Sequence, residues 1–451
     1  MTPAVGGDAG ADLGADAGAA AAGLPSEVEA GAAEVEETSS GLETELMDIA
    51  ESEAGVDQVN ERVEDGFEVV ETMESYREAL AIATESGGLD RHGARMFQIG
   101  LEACYQRLDM MMPQVMSLES FGGASKKISA TQLSLESLGE QIKKIWEKIY
   151  QAIMHGIQLG QQFSEKIFNG AVRLEEQAKS VMAKAKAIQG QPSTREITDA
   201  GLIESLFVPG GNPMNALNDV LKTASGLYAA YPSMVGHAAK TIAQFKQPDG
   251  STSLAGSAVY PWTPELIQGV APRKAQGDNG GMVYESNVLP GGKVLAFNIS
   301  QNAGQCSAEL DHDEQQVGNA KLPVLSPPQA GQICDMVLKL AGQVKQSKAA
   351  VAKSIEAQKQ LAEIAKAFMS INQQDPQAGE RNDLEAKREG VLAIKKALEE
   401  PFKSFNVYAL QTGAAALKWV NASAAAYSAQ AQSGAPAKPA APAAGQAPAK
   451  A

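Results

Sequence analysis

Aromatic side chains are scarce in this 451-residue sequence, at 5% of the residues, although hydrophobic residues as a whole reach 44%. A chain of this length can bury a sizeable core and form two or three domains. That core must be built mainly from alanine, leucine, isoleucine, valine and methionine. Side chains of this kind suit packing between helices, so the composition favours a helical protein.

Cysteine is also scarce. Cys104, Cys306 and Cys334 are odd in number, lie far apart and lack the spacing of a metal site, which favours a reducing compartment. No apolar run of about 18 residues predicts a membrane-spanning helix. The N-terminus lacks a basic stretch followed by an apolar one, so the sequence does not predict a secretory signal.

Recognisable catalytic motifs are missing too. The sequence contains no G-x-x-x-x-G-K-[ST], G-x-S-x-G or H-E-x-x-H motif. Three of the four histidines, at His92, His155 and His237, stand alone. The fourth, His312, lies in an acidic tetrapeptide at 311–314 that lacks the spacing of a calcium loop and is interpreted as a solvated loop. We therefore expect a protein that is not an enzyme and that needs no metal or cofactor.

Charge of one sign is concentrated at one end. Residues 1–136 carry 27 acidic and 7 basic side chains, whereas residues 137–451 carry 27 acidic and 31 basic ones. The first part is thus strongly negative and the second slightly positive, within a total of −16. Such an asymmetry is typical of an acidic tail or pro-segment.

The N-terminal part divides into two predicted regions. Residues 1–70 are mainly alanine, glycine and acidic residues, a composition that predicts a disordered acidic segment. Residues 71–136 have hydrophobic residues at helical spacing and are interpreted as a helical pro-segment. A helix is predicted on each side of Gly87-Gly88, and the second is expected to run from Leu89 to Met111.

A long amphipathic helix is predicted in the region 137–190. Ser137 and Glu140 have the spacing of a capping box at its start. The helix then carries a regular apolar stripe with lysines off it, which is typical of an amphipathic helix. The stripe consists of Leu138, Ile142, Ile145, Ile149, Ile153 and Ile157.

The remaining regions complete the predicted fold. Residues 191–325 form a mixed region with a β-hairpin at about 282–299, residues 326–428 form long helices bent near Pro401, and residues 429–451 form a disordered tail. The predicted fold class is therefore mainly α. Long helices form a helical hairpin or bundle with a small inserted β-hairpin, between a disordered acidic N-terminus and an Ala/Pro-rich C-terminal tail.

One tetrapeptide, Ser-Leu-Glu-Ser, occurs twice near the charge boundary. The copies are Ser117, Leu118, Glu119 and Ser120, and Ser134, Leu135, Glu136 and Ser137. Ser-x-Glu triplets also occur at 307–309 and 354–356, and two or three are expected by chance. The first two copies differ because they lie where the acidic part ends and a helix is predicted to begin. Alternatively, both are ordinary helix N-caps, since serine suits that role.

Several segments of the first half carry a resemblance to a known family. They are Met73–Arg77, Gly87–Arg91, Leu118–Gly123, Ala130–Gln132, Ser134–Glu140 and Lys143–Ile149. These segments resemble the internal head proteins of large tailed bacteriophages of the myovirus type, which are components of the prohead core. The hairpin near 289–293 and the helix after it are more faintly similar to the same family.

The resemblance implies a structural virion protein that is made in the host cytoplasm as a precursor and packaged inside the capsid with the DNA. It implies trimming by the prohead protease, which favours a glutamate with a small or aliphatic residue two positions earlier. Cleavage is thus expected after Glu119, after Glu136 or after both. The other implied partners are capsid and core proteins, packaged DNA through weak nonspecific contact, and further copies of the chain.

Two hypotheses and two alternatives follow. The acidic pro-segment would prevent premature contact with DNA, and its removal would leave a slightly basic product. The amphipathic helix over 138–168, once freed, could contact an anionic membrane, for instance after ejection into the host, unless its stripe packs on the helices at 327–428. The alternatives are a transient capsid scaffold and a helical secreted effector or membrane-active protein.

Overall fold

The computed structural model describes most of the chain, namely residues 27–112, 118–122, 124–245, 262, 264, 267, 269–273, 281–300, 306–312, 321–371 and 378–433. The two predicted disordered tails fall partly outside the described residues, at 1–26 and 434–451. Over the described residues the predicted fold class is confirmed, because long helices dominate and a small antiparallel sheet is inserted between them.

Helix α1 (Glu27–Glu85) runs for 59 residues through most of the acidic N-terminal part. Buried side chains recur on it every seven residues in two series offset by three. The series are Leu42, Ile49, Val56, Val63 and Val70, and Val59, Gly66, Met73 and Leu80. A seven-residue repeat of this kind keeps one stripe of a helix facing a partner helix along its length.

The prediction of a disordered segment is therefore wrong for residues 27–70. Average composition suggested too little apolar surface, but most of the apolar residues between Leu42 and Val70 are buried along α1. Each fully buried valine, leucine, isoleucine or methionine contributes about 1.5–3 kcal/mol. Eight such side chains offset part of the entropy lost on ordering the helix. The boundary predicted at residue 70 consequently lies within a continuous helix.

Helix α3 (Ala124–Ala187) lies antiparallel to α1, and glycines allow the two to approach closely. A Cβ atom added to Gly66 would lie 2.6 Å from Cγ1 of Ile149, and one added to Gly156 would lie 3.1 Å from Cγ1 of Val59. Further along, Gly170 of α3 faces Ile49 of α1. As residue numbers rise along one helix they fall along the other, which defines the antiparallel pairing.

The predicted start of this helix at Ser137 is wrong, because α3 begins at Ala124 and passes through residues 134–137 without a break. The serine hydroxyls are satisfied inside the helix: Ser134 Oγ donates to the carbonyl oxygen of Ala130, and Gln141 Nε2 donates to Ser137 Oγ. Local hydrogen bonds of this kind allow serine in a helix interior. Residue 136 is therefore not a domain boundary.

Helix α2 (Arg91–Arg107) follows the predicted break at Gly87-Gly88, where both glycines have positive φ. Its N-cap is Asp90, whose carboxylate accepts a hydrogen bond from the amide of Gly93. The helix predicted to reach Met111 ends earlier, since Leu108 and Asp109 already leave helical geometry.

The predicted hairpin is confirmed and belongs to a larger sheet. Its strands, β3 (Met282–Ser286) and β4 (Lys293–Ile299), pair antiparallel around the turn at 290–292. Strands β2 (Val270–Arg273) and β5 (Ser307–His312) extend the sheet to the order β2-β3-β4-β5. The smaller elements of this region are β1 (Glu196–Ile197), which pairs with β6 (Leu322–Pro323), and helices α4 (Ala200–Leu206) and α5 (Pro213–Phe245).

Four helices make up the C-terminal part: α6 (Pro327–Gln346), α7 (Lys348–Ile371), α8 (Ala378–Glu399) and α9 (Phe402–Ser433). Helix α6 begins at Ser326, which forms the capping box with Gln329. The predicted bend near Pro401 is confirmed, because α8 ends and α9 begins on either side of it.

Helix α3 lies at the centre of the fold and packs against α1, α6, α7 and α9. Buried side chains from the acidic part, the sheet and the C-terminal helices join in one continuous core. A small satellite cluster of Ala94, Phe121 and Ala130 lies where α2 meets α3. Among the described residues, the regions divided by composition therefore share a core and do not fold as separate domains.

Candidate functional site: the two Ser-Leu-Glu-Ser segments and the α1 interface

The first Ser-Leu-Glu-Ser copy lies in the connection between α2 and α3. Residues Leu118–Phe121 form one 3₁₀ turn, whereas Ser117 lies outside the described residues. The side chain of Glu119 is exposed, while Phe121 is buried in the satellite cluster. The turn is thus anchored by Phe121, while the side chain of Glu119 faces solvent and Ser120 is half-buried.

The second copy lies on α3, more than two turns from its start. Ser134 is 7% exposed and Leu135 is half-buried, whereas Glu136 and Ser137 are exposed. Every backbone bond around Glu136 belongs to the helix, so a protease would have to unfold at least a turn of α3 to reach it. Opening a helix inside a packed core costs far more than engaging an exposed loop.

The two copies thus differ in accessibility in a way that their identical sequences do not reveal. Both glutamates are exposed, but Glu119 lies on a single 3₁₀ turn between two helices, whereas Glu136 lies within a long α-helix. The alternative that both copies are helix N-caps is wrong for the second, which lies within α3.

Acidic side chains of α1 pair with cations from the rest of the chain along most of the helix. The pairs are Glu43 with Lys418, Glu45 with Arg173, Asp57 with Lys403, Glu64 with Lys396, and Glu74 with Arg388. The cations come from α3, α8 and α9 and thus flank α1 from several sides. We call this set of contacts the ionic ladder. Exposed ion pairs contribute only about 0–1 kcal/mol each, so the buried stripe stabilises the interface and the ladder aligns it.

Lys403 of the ladder is a buried cation, only 7% exposed. It lies between Asp57 of α1 and Glu400, whose carboxylate is 2.8 Å from Nζ. Burial alone would lower the pKa of Lys403, but the charges of Glu400 and Asp57 outweigh burial and raise it. The lysine therefore stays charged and ties α1 to the start of α9.

Two carboxyl groups near Lys403 have pKa values shifted in the direction that favours their neutral form. Burial raises the pKa of Glu400 and of Glu53 above their usual value, although Lys403 partly compensates. Glu400 and Lys403 line a cleft of about 980 Å³ between α1, β5 and the corner of α8 and α9. Six carboxylates and three lysines line the cleft, so acidic groups predominate there.

Arg388 joins the ladder to the apolar core. It donates two hydrogen bonds to the carboxylate of Glu74, at 2.6 and 2.5 Å, and its guanidinium lies 5.1 Å from the ring centroid of Trp146. Since a cation over an indole face is attracted by the ring, one arginine fixes α1, α3 and α8 together.

The apolar stripe of α3 that a membrane contact over 138–168 would need is buried in this core. All six of its leucine and isoleucine residues are at most 3% exposed. The alternative that this stripe packs on the helices at 327–428 is confirmed, since α3 contacts α6, α7 and α9. Helix α1 covers α3 as well, which was not predicted. None of the described helices is long and apolar enough to cross a membrane.

The remaining chemistry of the described residues is sparse. All three cysteines are buried thiols outside any disulfide bond, and burial raises the pKa of each thiol, to about 11 for Cys334. Of the acidic tetrapeptide, Asp311 and His312 lie on β5 and the other two residues lie outside the described part. In the part of the chain that the structure describes, no group of three histidine, cysteine, aspartate or glutamate residues could hold a metal ion.

Composition missed the α1 interface, but the sequence does contain its signal. The seven-residue repeat from Leu42 to Val70 would have predicted a helix with one buried face. The charge asymmetry was visible, yet it suggested a separate acidic tail or pro-segment. In the structure, acidic side chains of α1 pair with cations of the same chain.

Comparison with known proteins adds the family. The family model of phiKZ-like phage internal head proteins matches residues 30–422 of the chain. No curated protein and no solved structure matches it. The matched range includes nearly all of α1 together with the helical core and the sheet.

Proposed function

The chain belongs to the phiKZ-like phage internal head proteins, structural components of the phage head interior, and from this premise we propose that it is a precursor trimmed by the prohead protease after Glu119. It is made in the host cytoplasm, enters the prohead with other core proteins and is enclosed with the DNA. The acidic part thus serves during assembly of the core.

The observation that supports this site is the exposed side chain of Glu119 on a 3₁₀ turn between two helices. Exposed connections are the preferred sites of proteolytic cutting, because the chain there can adopt the extended form that a protease binds. Glu136 carries the same neighbours but lies in α3. We therefore propose Glu119 as the first cut, and a cut after Glu136 only once the start of α3 has opened.

The partners of the assembled core follow from the charges that remain on the surface. Residues 137–451 are slightly basic, which supports weak nonspecific contact with packaged DNA through scattered lysines. Capsid and core proteins, including further copies of the chain, are proposed as the other neighbours. Membrane contact through 138–168 gains no support from a folded chain in which the stripe is covered.

A transient scaffold is the second candidate function, because an internal head protein can either stay in the mature particle or leave it. Family membership supports a place inside the head and favours a virion component over a secreted effector. The two head roles differ in one measurable property, namely the presence of the chain in particles that have already packaged DNA.

A matched pair of phage variants tests the proposed cleavage. Glu119→Gln and Glu136→Gln each remove one exposed carboxylate from an identical tetrapeptide. In purified heads, we expect the Glu119→Gln protein to remain uncut after residue 119. The Glu136→Gln protein should be cut after Glu119 as in the wild type. Normal cutting of the Glu119→Gln protein at the same bond would contradict the proposal.

A further inference from the structure

We propose that cutting the chain after Glu119 does not free its N-terminal piece, so that α1 and α2 remain bound to the rest as a separate subunit. This inference rests on the proposed cleavage site only for its biological setting. Its physical basis is the interface between α1 and the remainder of the fold, which is the same before and after one peptide bond is broken.

The interface between α1 and the remainder of the fold is long and apolar. From Leu42 to Leu80 the buried stripe of α1 extends for roughly 57 Å, at 1.5 Å per residue. Ile49, Val70 and Met73 are fully buried, with no exposed surface. An apolar interface of this kind resembles a domain core cut in half, which is the character of obligate complexes rather than transient ones.

Helix α2 and the residue before it hold the N-terminal piece to α3 at a second place. The hydroxyl of Tyr105 donates a hydrogen bond of 2.8 Å to Oε1 of Gln141 on α3. The amide of Leu89, just before α2, donates to the hydroxyl of Thr131 at 2.9 Å. Both acceptors lie beyond the cut, so these contacts hold the two pieces together across it.

The strength of the ion pairs in the ionic ladder depends on salt concentration. The packing of the buried stripe does not weaken as salt screens charges. Raising the ionic strength should therefore loosen the ladder without separating the pieces. A peptide held mainly by charge would dissociate instead.

Retention of the N-terminal piece changes the charge that we expect of the cleaved protein. If the acidic piece stays in place, its carboxylates continue to occupy Arg388, Lys396 and Lys403, which then cannot contact DNA phosphates. A single cut therefore does not produce a basic product. Exposing these cations requires a further step that unfolds α1 or cuts within it.

The test uses the full chain with a recognition sequence for a site-specific protease inserted between Glu119 and Ser120. After complete cutting, the protein is run on a gel-filtration column at about 1 µM and about 1 M NaCl. We expect both pieces in one peak at the position of the uncut chain. Separate peaks in this buffer would overturn the inference.

Two substitutions on α1 show whether the buried stripe holds the piece. Ile49 is 0% exposed, and Met47, on the same turn, is 74% exposed. In the cut protein, Ile49→Asp should weaken retention of the N-terminal piece about a hundredfold, since it buries a charge without a partner. Met47→Asp should leave retention unchanged. Full retention by the Ile49→Asp protein would contradict the inference.

The outcome is independent of the natural protease. Separation of the pieces would overturn the persistent subunit while leaving cleavage at Glu119 in particles untouched. Conversely, an uncut chain in particles would end the proposed processing, whereas the binding measured with the inserted site would still hold.

Discussion

Phe67 of α1 meets Trp146 of α3 edge to face, with ring centroids 5.3 Å apart and ring planes at 90°. The other side of this contact is closed by Arg388 of α8, which lies over the indole ring. Residues from the acidic part, the middle and the C-terminal part thus meet at one point. This contact explains why an acidic segment and a slightly basic remainder behave as one fold.

Phe67→Ala should lower the free energy of unfolding by about 3–5 kcal/mol, because it removes a buried ring and leaves a cavity beside Trp146. Met47→Ala, at an exposed position of the same helix, should change it by no more than about 0.5 kcal/mol. Urea unfolding followed by helical circular dichroism measures both. Equal stability of the two variants would show that α1 is not docked at Phe67.

Two glycines of α1 should respond to alanine with opposite signs. Gly66 faces Ile149, and a Cβ atom there would lie 2.6 Å from Cγ1, so Gly66→Ala should destabilise the protein by about 1–3 kcal/mol through overpacking. Nothing lies within 4 Å of a Cβ atom at Gly55. Gly55→Ala should therefore stabilise by up to about 1 kcal/mol through helix propensity. The same sign for both would argue against the close approach of α1 and α3.

Glu53 should make the protein less stable as pH rises. Burial raises the pKa of Glu53 above its usual value of 4.5, so between that value and its pKa in the folded state the folded chain holds the proton more firmly than the unfolded chain. The free energy of unfolding therefore falls as pH rises through this window.

Glu53→Gln removes this titration. Relative to the wild type, the variant should gain stability between pH 4.5 and about pH 7, as measured by urea unfolding at both values. Glu61→Gln, at an exposed position of the same helix, is the control and should show no such gain. A stability difference between Glu53→Gln and the wild type that is independent of pH would contradict the burial of Glu53.

Limited digestion with a glutamate-specific endoprotease should cut the folded protein after Glu119 before it cuts after Glu136. We expect at least about a tenfold difference in initial rate, because cutting at Glu136 requires α3 to open first. Mass spectrometry of the fragments over time measures the two rates. In urea, where α3 is unfolded, the rates should become similar, and a persistent difference there would point to sequence rather than structure.

Periodic patterns in the sequence predicted the elements that are stabilised locally. The stripe on α3, the helix start near residue 326, the bend at Pro401 and the hairpin near 282–299 could all be predicted, because spacing and turn residues act over short distances. These features predicted the helical fold class correctly.

Average composition failed where long-range packing decides the structure. Residues 27–70 were predicted to be disordered because acidic residues, alanine and glycine outnumber apolar ones. Packing of α1 on α3 overrides that average, since glycine at Gly66 and Gly156 permits close contact and cations elsewhere in the chain neutralise the acids. The start of α3 was misplaced at Ser137 for a related reason, because a capping pattern does not reveal a helix that continues through it.

Mass spectrometry of N-terminal peptides from purified, DNA-filled particles tests the central claim most directly. The account predicts that the chain is present and that a new N-terminus begins at Ser120. A chain that is present with its N-terminus intact and no cut at residue 119 would contradict the precursor model. Absence of the chain from such particles would contradict a place in the mature head and favour the transient scaffold.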